Sequence, residues 1–210
     1  MENKNKTFVD DIERTLYDIR YEDHSAYKSQ KGLTEDVVRD ISVRKHDPQW
    51  MLERRLQALE VYNHMGLPTW GPDLSELNMD EIVTYVQPNT KMAGKWEDVP
   101  EDIKSTFDRL GIPEAEQTSL AGVGAQYDSE VVYHSIQENL TKQGVVYTDM
   151  ETALREHEEL VKEHFMKLVP PKDHKFAALH GAVWSGCSFV YVPEGFNVDI
   201  HLQSYFRLNS

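Results

Sequence analysis

Val37, Val38 and Ile41 follow Gly32-Leu33-Thr34 at helical spacing. Thr34 is a suitable N-cap, and Glu35 and Asp36 suit the positive end of a helix dipole. This first helix should stop before Pro48. Asp47 as N-cap and Pro48 at the first helical position predict a second helix. In it Leu52, Leu56 and Leu59 repeat at i, i+4, i+7 as the buried face, with Glu53, Arg54, Arg55 and Glu60 opposite. Gly66 is the expected stop. Gly66, Pro68, Gly71 and Pro72 then predict a loop before a short strand over Glu81–Val86. A helix is expected over Glu101–Leu110, ended by Gly111, with a short successor from Pro113. Val131–Tyr133 reads as a strand. Ser135 and Glu138 have capping-box spacing, which predicts a short helix ending near Gly144. Val145–Tyr147 reads as another strand. Thr148 or Asp149 caps a helical stretch to about Lys167, with room for a break, and Pro170-Pro171 closes it. Residues 1–30 are polar and weakly periodic, and are expected to be an extended or mobile arm with a short helix around Val9–Leu16.

The pattern changes after Lys175. Residues 176–210 hold three formally charged side chains, Glu194, Asp199 and Arg207. Ala177–Trp184 reads as a short buried helix and Ser188–Val192 as a strand. Val198, Ile200 and Leu202 alternate strictly, which predicts a strand with one buried face. The expected organisation is an arm over 1–30, a helical domain over 31–175 and a strand-rich part over 176–210. Strands this apolar leave open edges, so further strands beyond residue 210, or another chain, are expected to cover them.

Composition narrows the function classes. The chain has 210 residues, 40% hydrophobic and 28% charged, as expected of a globular protein rather than a disordered one. Its formal net charge is −14. Phosphate binding needs clustered Lys and Arg, so no nucleic-acid partner is expected. No apolar run of about eighteen residues predicts a membrane span. The first residues do not resemble a secretory signal, and the expected location is cytoplasmic. One cysteine, Cys187, excludes an internal disulfide and a multi-cysteine zinc site.

Candidate chemistry is sparse. His157 and His164 lie among glutamates, but Val161 stands where an H-E-x-x-H zinc helix needs its second histidine. A solvated helix face is the better reading. Gly122-Val123-Gly124 begins like a dinucleotide loop but lacks the third glycine and a clear preceding strand. No phosphate loop ending in Gly-Lys-Ser or Gly-Lys-Thr is present. Ser185-Gly186-Cys187-Ser188 holds the one thiol. Cys187 is the weak candidate for a metal site, with His180 and His201 near it in sequence; a packing role for the thiol is favoured, with iron or sulfur ligation as the alternative. Catalytic and cofactor-binding residues are not expected. Packing is expected for all four tryptophans, Trp50 and Trp184 in the core, with a contact surface as the alternative for Trp70.

An ordered series of segments then carries a resemblance. These are Pro48-Gln49-Trp50-Met51-Leu52, Arg55-Leu56-Gln57-Ala58-Leu59, Gly111-Ile112-Pro113-Glu114-Ala115-Glu116, Gln126–Tyr133, Lys175–Leu179, Ser188–Pro193 and Tyr205–Asn209. Together they resemble the N-terminal part of the SufB family of iron–sulfur cluster assembly scaffolds, over nearly everything after about residue 25. The resemblance implies an α+β chain: a mainly helical N-terminal region with a few short strands, followed by the first strands of a truncated β-helix. It implies a non-catalytic scaffold role in a complex with a SufC-like ATPase and a SufD-like subunit, both held through regions outside this sequence. A cysteine desulfurase system would supply sulfur. An iron–sulfur cluster is implied for the full-length complex and none for this fragment. Cys187 stands where similar sequences often have glycine, and His201 where proline is common. The alternative is a stand-alone binding module that docks on a full-length scaffold or on the sulfur donor.

Overall fold

A computed structural model describes residues 25–93, 95–101, 103–105 and 122–207. The fold is α+β, with small sheets around a packed group of helices. The expected helix around Val9–Leu16 and the successor helix at Pro113 lie outside the described residues. So does most of the helix expected over Glu101–Leu110, of which Glu101 and residues 103–105 are helical.

Strand β1 (Ser25–Lys28) leads into helix α1 (Glu35–Lys45), where Thr34 accepts a hydrogen bond from the Val37 N–H as its N-cap. Ion pairs Glu35–Arg39 and Asp40–Arg44 run along its outer face. His46, at φ 54°, turns the chain into the left-handed conformation and ends α1. Helix α2 (Gln49–His64) follows. Two details differ from the sequence reading. Pro48, not Asp47, occupies the cap position, and α2 begins at Gln49. The face of α2 that is fully buried is Met51, Arg55, Ala58, Leu59 and Tyr62, while Leu52 and Leu56 are half-buried.

Arg55 explains both. Expected on the outer face, it is fully buried. Its Nε donates to Asp47 at 2.7 Å, and its Nη1 donates to the carbonyls of Ala182 and Trp184 at 3.3 and 2.9 Å. Asp47 is therefore spent on the guanidinium instead of on the helix end. The carbonyls belong to the end of helix α6 (Lys175–Val183), which packs across α2. The two backbones come close because Gly181 has no Cβ; one there would lie 2.8 Å from Ala58. Lys175, at the start of α6, donates to the carbonyls of Tyr62 and Met65 and so terminates α2. Gly66 is not needed as the stop.

Among the described residues the strands form three sheets. Strand β2 (Val86–Pro88) pairs with β1, starting later than the pattern of Ile82 and Val83 suggested. Strands β3 (Gly122–Tyr127) and β4 (Glu130–Ile136) form a hairpin whose turn places Asp128 at φ 51°. Helix α3 (Glu138–Thr141) is capped from Gln137; Ser135 lies in β4, so the expected capping box does not form. Strand β5 (Val146–Asp149) runs into helices α4 (Met150–Glu156) and α5 (Glu158–His164), with Asp149 capping α4 and His157 at the break. Strand β6 (Ser188–Tyr191) pairs antiparallel with β5. Strand β7 (Leu202–Arg207) pairs parallel with β3. Val198 and Ile200, expected in this last strand, precede it. Val198 and Leu202 pack on Leu140 and Val145, while Ile200 faces out.

Gly122 and Gly124 are strand residues, not a dinucleotide loop. A Cβ at Gly122 would lie 2.5 Å from the Tyr147 ring, and one at Gly124 would lie 3.0 Å from its hydroxyl. The glycines let Tyr147 lie across β3, where its hydroxyl donates to the Gln203 carbonyl at 2.7 Å.

Removing one partner of a buried ion pair leaves an uncompensated charge, so Arg55→Met should cost about 3–5 kcal/mol in urea unfolding. Asp47 Oδ1 and Arg55 Nη2 have no hydrogen-bond partner among the described residues. Removing both charges should therefore be milder: Asp47→Ala/Arg55→Met should recover part of that loss.

Candidate functional site

Cys187 sits in the turn between α6 and β6, above a buried polar cluster that joins most of the fold. Gly186 and Cys187 are both left-handed, at φ 67° and 68°. That conformation costs a residue with a Cβ about 1–2 kcal/mol. The turn holds it with two backbone donors. The Gly186 N–H donates to Glu151 Oε1 at 3.1 Å, and the Cys187 N–H donates to Gln126 Oε1 at 3.1 Å. Gln126 in turn donates to the Asp128 carbonyl.

Glu151 links this turn to Lys45. The Lys45 ammonium is nearly inaccessible and lies 2.8 Å from Glu151 and 2.7 Å from Glu130. The Tyr85 hydroxyl donates to the other oxygen of Glu130 at 2.6 Å. One cation thus joins α1, β4 and α4, and Tyr85 closes the group. Burial holds the Glu151 carboxyl above the usual carboxylate range, against the opposing pull of Lys45. Burial, then the hydrogen bond to Glu130, raises the Tyr85 phenol far above its ordinary value, so it stays protonated and donates to that carboxylate.

The thiol itself is unreactive in this setting. Burial, reinforced by the nearby Glu151 carboxylate, pushes its pKa to about 11, so it is protonated at neutral pH. It is half-buried beside Trp184, Phe165 and Phe189. It also borders a cleft of about 10 Å³ with His134, Asp149 and Ser204, room for about one water. Among the described residues no group of three or more His, Cys, Asp or Glu side chains is placed to hold a metal ion. His201 is exposed between Ile200 and β7, and His180 lies in α6. His157 stacks on Phe189 at the α4–α5 break, and His164 is exposed at the end of α5, so the two are not on one continuous helix. Trp184 is buried, Trp50 is half-buried and donates to Glu158, and Trp70 is exposed with its edge on His174.

The sequence singled out Cys187 but not the cluster beneath it. Lys45 was hidden because it lies in the last turn of α1, where a solvated lysine is common. The one legible signal was its place on the buried stripe of Val38, Ile41 and Lys45, at i, i+3, i+7.

Comparison with known proteins matches residues 37–204 to the family model described as the SufBD protein N-terminal region. The chain is 53% identical over 200 residues to the "Iron-sulfur cluster assembly protein SufB" of Bacillus subtilis. It is 54% identical over 200 residues to an "Iron-sulfur cluster assembly SufBD family protein" of Staphylococcus haemolyticus. A protein of the same description from Staphylococcus aureus is 52% identical. Each match covers 95% of this chain and 43% of the relative, so the chain spans less than half the length of these proteins.

The turn and the cluster beneath it generate three predictions. Glycine in place of alanine normally costs up to about 1 kcal/mol. At position 187 the order should reverse, with Cys187→Gly at least as stable as Cys187→Ala by thermal unfolding. A thiol at about 11 instead of its ordinary 9.0 is about a hundredfold less ionised near pH 8. Iodoacetamide should therefore alkylate Cys187 in the folded chain about a hundredfold more slowly than in 6 M guanidinium. Lys45→Met should cost about 3 kcal/mol at pH 7.5, because it strands two buried carboxylates. The raised pKa of Glu151 gives the sign of the pH effect: as pH falls this carboxyl neutralises first and needs no partner. The deficit of the variant should shrink between pH 7.5 and pH 5.

Proposed function

The chain belongs to the SufBD family of iron–sulfur cluster assembly proteins, and we propose that it is the N-terminal part of a SufB-like scaffold component. In this reading its role is architectural. The helical body supports the first strands of a β-helix, and catalysis and cluster ligation belong to other parts of the assembly. The domain division that goes with it is an arm over 1–30, a helical body over 31–175 and the start of the β-helix from 176. A SufC-like ATPase and a SufD-like subunit would bind through regions outside these residues, and a cysteine desulfurase system would supply the sulfur. The setting would be cytoplasmic; among the described residues no helix is long and apolar enough to cross a membrane.

The observation that carries this reading is the open strand edge. Strands β6 and β7 each lie at the outside of their sheets. Val190, Tyr191, Ile200 and Phe206 are exposed at 49, 38, 43 and 61%. Stacked neighbouring strands would cover such residues, as in any solenoid. The chemistry of the cargo agrees. Clusters are held mainly by thiolates, and the chain has one thiol, held protonated. A stand-alone module docking on a full-length scaffold is the second reading, favoured by the well-packed helical body.

Anaerobic reconstitution with ferrous iron and sulfide, followed by desalting, checks this. The 210-residue chain should retain far less than one cluster per chain. A stoichiometric cluster absorbance band would overturn the architectural role. The second reading would gain from a monomer with one cooperative melt, whereas the first expects association or proteolysis at the exposed strands.

A further inference from the structure

An apolar groove beside α2 has a rim of cations and a preformed shape. It lies between α2 and the segment that follows α5, with a volume of about 280 Å³. Val61, Phe165 and Pro171 contribute to its floor, and Arg54, Lys167 and Lys172 bring positive charge; its lining contains no Asp or Glu. That is unexpected in a chain with 36 acidic residues and a net charge of −14. Lys167 and Lys172 are exposed, and neither forms an ion pair among the described residues.

The wall of the groove is held in place. Arg54 donates to the Phe165 and Lys162 carbonyls at 3.1 and 3.0 Å. Met166 is left-handed, at φ 56°. Its methyl and the Pro171 ring pack so closely on α6 that a Cβ at Gly181 would lie 3.1 and 3.2 Å from them. Beside the groove Leu168 is 98% exposed and Val169 57%. A rigid wall with exposed apolar residues and unpaired cations has the character of a docking surface.

We propose that residues 8–19 of this chain dock in this groove. They lie outside the described residues, and their sequence is complementary to it. Phe8, Ile12, Leu16 and Ile19 repeat at i, i+4, i+8, i+11, an apolar stripe at helical spacing. Asp10, Asp11, Glu13 and Asp18 supply four carboxylates against one cation, Arg14. The apolar stripe fills the floor, and the carboxylates meet Lys167 and Lys172. Docking covers apolar surface on both sides and neutralises the unpaired lysines. The proposal concerns the helical body alone and stands or falls independently of the scaffold reading.

The test uses the whole chain. A zero-length carbodiimide should join carboxylates of Asp10–Asp18 to Lys167 or Lys172, read by mass spectrometry. Amides of residues 12–19 should exchange at least about tenfold more slowly than a free peptide of the same sequence. Lys167→Glu/Lys172→Glu should abolish that protection while leaving the melting temperature of the body unchanged, because both side chains are exposed. Adding Asp10→Lys/Asp11→Lys/Glu13→Lys to that variant should restore it. Exchange at free-peptide rates in the native chain would overturn the proposal. So would protection indifferent to the charge reversal, or crosslinks from these lysines only to carboxylates outside residues 8–19.

Discussion

A guanidinium taken wholly out of water must find acceptors, and the placement of Arg55 shapes what surrounds it. Its fork spans Asp47 before α2 and the Ala182 and Trp184 carbonyls at the end of α6. The Trp184 ring lies over it, 4.4 Å from the guanidinium carbon. One side chain therefore fixes three things. It removes Asp47 from helix capping, rotates the buried face of α2 and sets the direction in which the chain leaves α6. The turn at Gly186 and Cys187, and the start of β6, depend on that exit.

A second cation, Lys45 in the last turn of α1, completes the frame. Lys45 holds Glu130 and Glu151, and Glu151 in turn holds the Gly186 N–H. The turn is thus fixed from both sides, by Arg55 through Trp184 and by Lys45 through Glu151. This is why Cys187 can persist at a positive φ that would suit glycine. Strain at a turn survives where its surroundings over-determine it. Here backbone donors and buried carboxylates supply that constraint, and the thiol contributes packing.

The helices were legible where caps and apolar stripes agreed. Thr34 with Val37, Val38 and Ile41 specified α1 almost to the residue, whereas the stretch after Asp149 was read with room for a break that the sequence did not place; it falls at His157. What was not legible was long-range. Arg55 looks like a surface residue because its neighbours Glu53 and Arg54 are charged, and much of what holds it inside, the Ala182 and Trp184 carbonyls, lies well over a hundred positions away. Gly122 and Gly124 fail as a dinucleotide loop for want of a third glycine, but the local signal does not say what occupies the space they vacate. Their reason is Tyr147, on another strand. The start of β7 was misplaced for a related cause: alternation at Val198, Ile200 and Leu202 continues outside the strand, since Val198 finds its cover from Leu140 and Val145 without pairing.

These interactions also limit where function can reside. The buried cations Arg55 and Lys45 are committed to holding elements together, and among the described residues the histidines do not gather into a metal-binding group. A chain built this way spends its strongest electrostatic interactions on internal geometry. Its remaining capacity for specific interaction lies at surfaces whose cover is incomplete, namely the outer strands β6 and β7 and the cation-rimmed groove beside α2. The two differ in kind. Strand edges offer backbone donors and acceptors in a fixed direction, which favours continuation by further strands. The groove offers shape and charge without backbone pairing, which favours a separate amphipathic segment. The Arg55 and Lys45 clusters hold α1, α2, α4, α6 and β4 together, so both surfaces are presented by elements fixed to one another.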